Sequence, residues 1–217
     1  MTRLLQEIQR GQRTLRLRCA CLPEVEEDDE IEAKTLKPHR QKPQTLTVLV
    51  EDMEQLPPLC AGDEIGKEVW QTLLWCDGRA IALQKALECL SRTDLSRRAL
   101  YARLRAKGTT DENARFAVEQ VVSLGYLREG EQLRRLCLKL AQAGKGPRTV
   151  ISRAAAAGYP LSAAEKMSAE LEAAGEIDFA AAARELAARF AAQGLTGQEI
   201  ARKLYAAGFD TDDCFSS

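Results

Sequence analysis

The sequence predicts a mainly α-helical protein, with three tandem three-helix repeats in an elongated stack after a small α+β N-terminal module. Two observations lead to this fold class. Alanine and leucine dominate the second half of the 217-residue chain, and both favour helices. After the N-terminal module the chain also resembles itself at a spacing of 50 residues. The predicted boundaries are therefore 1–80 for the module and 81–127, 128–177 and 178–217 for the repeats, the last truncated.

One apolar helix stripe recurs in all three repeats. Its rows lie four and three residues apart, which places their side chains on one helix face. The rows are Leu83, Leu133 and Ala183, then Leu87, Cys137 and Ala187, then Leu90, Leu140 and Phe190. A single unit of this length buries little core, so neighbouring units are expected to stack and bury a continuous one.

Helix starts and stops recur in the same register as the stripe. Ser96, Gly146 and Thr196 align as N-cap residue types, Pro147 follows at a first helical position, and Glu199 forms a capping box with Thr196. The glycines that align where a helix needs a left-handed residue are Gly108, Gly158 and Gly208. Alanine-rich sequence aligns with itself easily, but caps and stops in register are harder to obtain by composition alone. They favour a true repeat.

Two strands are predicted in the N-terminal module. Residues 14–22 alternate apolar and basic side chains, which is typical of a half-buried strand and places Cys19 and Cys21 on one face. Residues 45–50 are rich in β-branched side chains and predict a second strand. The acidic and proline-containing stretch at 23–44 predicts a long exposed loop between them.

One short helix is predicted to complete the module. It begins at Gly66-Lys67 and is expected to end near Asp77-Gly78, before the first repeat begins. Trp70 on this helix and Tyr126 at the end of the first repeat are both expected to be packing residues.

Composition and motifs exclude several functional classes. The net charge is −1, and the seven cysteines are odd in number without a CxxC pair, which favours reduced thiols over disulfides. No apolar run reaches the roughly 18 residues of a membrane span, and no signal peptide is evident, so a cytoplasmic protein is expected. The single histidine, His39, has no motif around it, and no phosphate-binding glycine loop is present. We therefore predict no enzyme activity, no cofactor and no metal site.

Positive charge is concentrated in the first repeat. Residues 81–127 carry eight Lys or Arg against five Asp or Glu, whereas residues 1–80 are acidic. Basic side chains on a helix can contact an acidic protein surface or the phosphates of bound DNA, although most surface Arg and Lys are merely solvated. The first candidates for partner binding are Arg97, Arg98, Arg103, Arg105 and Lys107. The next are Arg134, Arg135, Lys139, Lys145 and Arg148.

The order of motifs in the first repeat is typical of one family. Ala86-Leu87, Leu90, Arg92 and Ser96 are followed by the basic short helix that ends in Lys107-Gly108 and by the turn Gly125-Tyr126-Leu127. This arrangement resembles the RecX family, regulatory proteins that act on the RecA recombinase. The resemblance covers roughly residues 45–212.

The later repeats carry weaker parts of the same resemblance. The segments Gly144–Arg148 and Ile200–Leu204, the latter followed by Gly208-Phe209, are similar to segments of the family. After residue 127 the family's acidic pair and aromatic residue are missing. The short helix of the second repeat, Ser152–Gly158, has lost most of its charge. The second repeat is thus degenerate and the third is expected to be cut short.

The resemblance implies a function as well as a fold. RecX-like proteins bind in the groove of the RecA nucleoprotein filament and suppress strand exchange and ATP hydrolysis. The implied partner is therefore the RecA filament, possibly with the single-stranded DNA within it, and a monomer is expected.

Two other functions remain open from the residues alone. Three-helix units resemble helix-turn-helix modules, so a DNA-binding regulator is the first alternative, and an adaptor with an unrelated partner is the second. A recognition helix needs Arg, Asn or Gln directed at base edges. The third helix of the first repeat, around Phe116 to Leu124, is instead mostly apolar, with Glu119 and Gln120 as its polar residues. This argues against the first alternative.

Overall fold

The computed structural model describes residues 3–21 and 43–210, which belong to two compact units. The first unit comprises Met1–Ala86 and Lys107–Gln120, and the second comprises Leu87–Ala106 and Val121–Ser217. Residues 23–42 of the predicted loop, which include His39, and the side chain of Cys21 lie outside the described residues, whereas Gln44 belongs to a strand. The boundaries between the four predicted domains stay predictions.

The first unit contains a four-stranded antiparallel sheet with strand order β3-β2-β1-β4. The strands are β1 (Arg3–Arg10), β2 (Thr14–Cys21), β3 (Gln44–Leu49) and β4 (Glu64–Ile65). The two strands predicted from alternation and β-branching are confirmed as β2 and β3. Leu5, Leu17 and Leu46 point from three neighbouring strands into the core of this unit, where Trp70 and Leu73 of the following helix also lie.

Strand β1 was not predicted from the sequence. Its pairing with β2 shifts register between Leu5 and Glu7, so a bulge interrupts the alternation of side chains. Leu5 faces Cys19, whereas Glu7 already faces Arg18. The alternation of inward and outward side chains is interrupted after three residues of the strand, so the sequence does not show it as a strand pattern.

Helix α1 (Lys67–Leu90) continues through the Asp77-Gly78 pair, where a helix end was predicted. That prediction is wrong, because tertiary contacts account for both residues. The carboxylate of Asp77 accepts a hydrogen bond from the Thr47 amide at 2.7 Å. A Cβ atom on Gly78 would lie 2.6 Å from the Asn113 side-chain nitrogen. The glycine therefore allows a close approach of another segment and does not end the helix.

Seven further helices follow within the described residues, which confirms the mainly α fold class with a small N-terminal strand module. They are α2 (Arg97–Ala106), α3 (Asp111–Ser123), α4 (Glu129–Gln142), α5 (Pro147–Ala156), α6 (Leu161–Ala173), α7 (Phe179–Ala192) and α8 (Gly197–Ala207). The core of the second unit collects side chains from α4 to α8, including Cys137, Val150, Leu171, Ala183 and Leu204. Trp70 is buried as expected, but Tyr126 is 58% exposed, so its assignment as a packing residue is wrong.

The predicted caps and stops are confirmed. The Ser96 hydroxyl accepts a hydrogen bond from the Ala99 amide at 3.1 Å, and Pro147 occupies the first turn of α5. Glu199 accepts from the Thr196 amide at 2.8 Å, which closes the capping box. The three aligned glycines have left-handed φ angles, of 77° at Gly108, 93° at Gly158 and 96° at Gly208.

The end of each later short helix packs onto the beginning of the short helix 50 residues earlier. The Ser96 hydroxyl before α2 donates to the Ala157 carbonyl after α5, at 2.8 Å. One repeat later, the Gly146 amide before α5 donates to the Ala207 carbonyl of α8, at 2.9 Å. The Arg148 amide donates to the Gly208 carbonyl at 3.2 Å. Donors at a helix start thus meet carbonyls at a helix end. The contact satisfies some of these terminal groups and places the positive end of one helix dipole against the negative end of another.

These contacts leave no room for a side chain at Gly146 or Gly208. A Cβ atom on Gly146 would lie 2.4 Å from the carbonyl carbon and oxygen of Gly208. A Cβ atom on Gly208 would lie 2.6 Å from the Thr149 amide nitrogen. Glycine at both positions therefore allows the close approach of two backbones, and Gly208 also ends a helix.

We predict that Gly146→Ala lowers the free energy of unfolding by about 1 to 3 kcal/mol, the usual cost of forcing extra volume into a packed contact. Gly146 has a φ of −74°, so left-handed strain plays no part in the loss. Gly197→Ala is the matched control, because a Cβ atom there meets nothing within 4 Å. Urea denaturation measures both variants, and equal stability of the two would contradict the close-packed junction.

Candidate partner-binding surface

Helix α2 presents the densest group of candidate cations. Its Leu100 and Leu104 are buried, and this fixes which side of the helix faces the core. All four arginines are on the exposed part of the helix, and no acidic residue lies between them. They are Arg97, Arg98, Arg103 and Arg105. The sequence prediction of a basic, solvent-facing short helix thus matches the placement of these residues, while their binding role stays a prediction.

The arginines of α2 differ in their partners. Arg97 pairs with Glu129 at 3.1 Å, and the same carboxylate accepts from the Arg97 amide at 2.8 Å. Glu129 therefore ties the start of α2 to the start of α4. Arg98 and Arg103 form no ion pair with any residue of the described ranges 3–21 and 43–210. Lys107 belongs to the first unit, where its carbonyl accepts a hydrogen bond from Lys85 at 3.4 Å.

The candidate cations in the middle of α4 are held by carboxylates of neighbouring segments. Arg135 binds Asp94 with both arms of its guanidinium, at 3.0 and 3.1 Å. Arg134 forms an ion pair with Glu176, in the turn between α6 and α7. The fork-to-fork geometry of the Arg135–Asp94 pair orients the loop before α2 on α4. Arg134 and Arg135 therefore join segments of the fold, and their charges are already paired.

Arg148 is likewise engaged within the fold. Its guanidinium donates to the Tyr205 carbonyl at 2.6 Å and lies 3.7 Å from the centre of the Tyr205 ring. It also lies 3.6 Å from the Asp210 carboxylate. A cation at the carbonyl end of α8 is favourable with respect to that helix's dipole. Arg148 therefore reinforces the α5–α8 junction.

Lys139 and Lys145 complete the candidate set. Lys139 is exposed in the last turn of α4, and Lys145 is half-buried in the loop before α5. Neither forms an ion pair with a described residue. Like Arg98 and Arg103, they are candidate charges of the second unit that form no ion pair with a described residue.

A groove that the sequence did not indicate lies beside Lys139, entirely within the second unit. It has a volume of 760 Å³ and lies between the loop before α2, helix α4 and the end of α5. Its walls are mainly aliphatic, with Leu95, Ala99, Leu136 and Ala156 among the lining residues. Lys139 and the Arg135–Asp94 pair are the charged groups of its lining.

Three buried polar side chains also line this groove, namely Ser96, whose hydroxyl is already hydrogen-bonded, Gln132 and Tyr159. Gln132 is 5% exposed, and its Oε1 atom has no hydrogen-bond partner among the described residues. Burial raises the pKa of Tyr159 to about 12, and the carboxylates of Glu129 and Asp94 add to the effect. The phenol is protonated at neutral pH. The groove has a mainly apolar wall and one exposed lysine, Lys139, whereas the unsatisfied Gln132 oxygen is itself inaccessible to solvent.

The repeat register contained a signal for this groove. Gln132 stands where the first and third repeats have Ala82 and Ala182. A glutamine in place of alanine on a buried helix face is an exception to the repeat, and only the structure shows that this face borders a groove.

The described part of the chain contains no helix long and apolar enough to cross a membrane. Over the same residues, no three His, Cys, Asp or Glu side chains lie close enough together to hold a metal ion.

Comparison with solved structures identifies the fold. A crystal structure of regulatory protein RecX superposes with a TM-score of 0.68 over 97% of this chain and 96% of that one, at 14% sequence identity. The chain has the RecX fold. RecX from Lactobacillus salivarius superposes with a TM-score of 0.49, covering 63% of this chain and 92% of that one at 17% identity. No protein-family model matches the sequence, and a search of curated proteins finds no match. The RecX fold accounts for nearly the whole chain, including the module before the repeats.

We expect substitutions to separate the structural cations from the uncompensated ones. Arg148→Gln should lower the free energy of unfolding by about 1 to 2 kcal/mol, because it removes a charged hydrogen bond and a stacking contact. Arg98→Gln and Arg103→Gln should each change it by no more than about 0.5 kcal/mol, as is usual for surface sites without partners. Thermal and urea unfolding measure all three variants. A large loss on replacing Arg98 or Arg103 would mean that their stems pack against the fold.

Proposed function

We propose that this protein is a RecX-type regulator that binds the RecA nucleoprotein filament and limits its strand exchange and ATP hydrolysis. The observation that carries the proposal is the whole-length likeness to regulatory protein RecX. The motif order of the first repeat supports the same assignment. The proposed regulator is cytoplasmic, acts as a monomer, and performs no catalysis of its own.

The placement of charge supports filament binding by α2. Arg98 and Arg103 are exposed, unpaired within the described residues, and carried by a helix without acidic side chains. A filament repeats the same surface many times, so several weak contacts made in series can give a strong association. Acidic protein surface and DNA phosphate both attract such charges.

The alternative of a sequence-reading DNA-binding regulator is less well supported. The exposed charges of α3 include Asp111, Glu112 and Glu119, and its Arg115 is paired with Asp111 at 3.0 Å. On α6, three exposed glutamates accompany a single lysine. Helices of this charge would be repelled by the phosphates that line the major groove.

The test is ATP hydrolysis by RecA on single-stranded DNA, followed with and without the purified protein. The wild type is expected to inhibit hydrolysis near stoichiometric ratios and to co-sediment with the filament. The double variant Arg98→Glu/Arg103→Glu should need about tenfold more protein for half inhibition, a change of about 1.4 kcal/mol in binding. The substitutions are expected to turn the attraction between α2 and the filament into repulsion without changing the fold.

The matched control is Arg184→Glu/Arg202→Glu, which makes the same charge change at exposed positions of α7 and α8. It is expected to inhibit nearly as well as the wild type. Equal losses in both double variants would point to net charge and remove the role of α2. If the wild type neither inhibits nor co-sediments, the proposed function is wrong. Tight binding to one duplex sequence would favour the DNA-binding alternative.

A further inference from the structure

The β1–β2 hairpin is strongly basic within an otherwise acidic module. Residues 3–21 carry five arginines against one glutamate, whereas residues 1–80 as a whole are acidic. Apolar and basic side chains alternate along β2, so the leucines of this strand are buried in the core of the first unit. Arg16 and Arg18 lie exposed on the opposite face of the sheet.

Strands β1 and β3 place polar side chains on either side of these two arginines. With one exception, a glutamate, the cross-strand neighbours are uncharged. The arginines and three of their neighbours line a shallow cleft of 220 Å³, entirely within the first unit. This surface is called the basic sheet face below. Its residues are Arg16 with its neighbours Gln9 and Thr47, and Arg18 with its neighbours Glu7 and Thr45.

The two arginines keep their charge available for a partner. Neither Arg16 nor Arg18 forms an ion pair with a described residue, although Glu7 is the cross-strand neighbour of Arg18. The carboxylate of Glu7 instead accepts a hydrogen bond from the Gln9 side-chain amide at 2.8 Å. Two like charges at neighbouring positions of one strand face repel each other, so folding alone does not favour them. The pair is therefore suited to an anionic partner.

The chemistry of the face favours the phosphates of a nucleic acid over an acidic protein surface. All the side chains that line the cleft are polar, whereas the core of a protein interface is apolar and rich in aromatic residues. Guanidinium, hydroxyl and amide groups are the donors that proteins direct at phosphate oxygens. Residues two apart on a strand are separated by about 6.8 Å, which is close to the spacing of successive phosphates along a nucleic-acid chain.

The same lining limits the contact to the nucleic-acid backbone. Bases bind to proteins without sequence preference by stacking on aromatic side chains, and no aromatic ring is among the side chains that line this cleft. The concave surface therefore offers charge and hydrogen-bond donors but no stacking platform.

We propose that the basic sheet face binds the phosphate backbone of a nucleic acid without regard to its sequence, with Arg16 and Arg18 on successive phosphates and Thr45 as a further donor. The site belongs to the first unit, whereas helix α2 belongs to the second. It is a binding site of its own, separate from the arginines of α2, and it does not require RecA.

The direct test is fluorescence anisotropy of a labelled oligothymidine titrated with the full chain, in the absence of RecA. A dissociation constant on the order of 10 μM is expected at low salt. The double variant Arg16→Gln/Arg18→Gln should bind at least about fivefold more weakly. The slope of log affinity against log salt should become shallower by about 1.4, because each phosphate contact on a single strand contributes about 0.7. Unchanged affinity and slope would overturn the proposal.

The matched control is Arg10→Gln/Arg13→Gln, which removes the same charge from the same hairpin. Both residues are exposed, and neither lines the cleft. This control should bind the oligothymidine within about twofold of the wild type. Equal losses in the two double variants would assign the binding to the net charge of the hairpin, and the proposed site would be wrong.

Glu7→Gln provides a result that misfolding cannot imitate. The substitution removes the negative charge of the basic sheet face and retains an acceptor for the Gln9 amide. Binding of the oligothymidine should become about two- to threefold tighter, since a carboxylate no longer faces the phosphates. An affinity that stays the same or falls would contradict the placement of the phosphates on this face.

Two competitors test the class of partner. An oligodeoxyadenosine of equal length should displace the labelled oligothymidine as well as unlabelled oligothymidine does, because only the backbone is contacted. Poly-L-glutamate of matched charge should compete several-fold less well. A strong preference between the two oligonucleotides would refute a backbone contact, and equal competition by polyglutamate would identify the face as a site for acidic protein instead.

The same titrations in the Arg98→Glu/Arg103→Glu chain separate the sheet from α2. Replacement of Arg16 and Arg18 should cause the same fold-loss in this background, as expected for independent sites. A loss that disappears there would show that the sheet has no binding of its own, which would overturn the proposal. Because no arm contains RecA, the outcome is independent of the proposed function. Filament inhibition can fail while the sheet binds nucleic acid, and the reverse result is equally distinguishable.

Discussion

The contact between the end of one short helix and the beginning of another sets the arrangement of the second unit. At each junction, donors at a helix start meet carbonyls at a helix end, through Ser96 and Ala157 in one case and Gly146 and Ala207 in the other. Such groups are unsatisfied at every helix terminus and costly when buried. Because the junction fixes where α2, α5 and α8 lie relative to one another, it also fixes the faces that α4 and α7 must cover. The apolar stripes found in the sequence then fill the space between them.

The same junctions explain why positive charge in this protein has two roles. Arg97, Arg135 and Arg148 lie beside a junction or a connecting loop, and each is bound to a carboxylate or carbonyl of another segment. Exposed ion pairs contribute little stability individually, but two-armed and stacked arginines also orient the segments they join. Arg98 and Arg103 lack such partners among the described residues. A count of basic residues in the sequence cannot distinguish the two classes, because the distinction depends on carboxylates 32 to 62 residues away, as in the pairs Arg97–Glu129 and Arg148–Asp210.

Much of the helical architecture was predictable because its determinants are local. Caps at Ser96 and Thr196 and stops at Gly158 and Gly208 act within one helical turn, so the sequence displays them directly. The failures arose where tertiary contacts override local preference. Asp77-Gly78 looks like a helix end but lies mid-helix against β3 and Asn113. Strand β1 was hidden by its bulge, and the groove by its dependence on three separate segments. The basic candidates other than the half-buried Lys145 lie on exposed surfaces, but their pairing required the fold.

The capping box of α8 gives the last short helix a property that α5 lacks. The start of α5 is covered by the carbonyls of Ala207 and Gly208, which do not titrate. The start of α8 is closed by Glu199, whose pKa is lowered by the hydrogen bonds it accepts from Thr196. A lowered carboxyl pKa contributes stability above the unfolded value, near 4.3, and that contribution is lost as pH falls through the folded value. Once the pH falls below about 4.3, amide protons at the start of α8 should therefore begin to exchange with solvent before those at the start of α5.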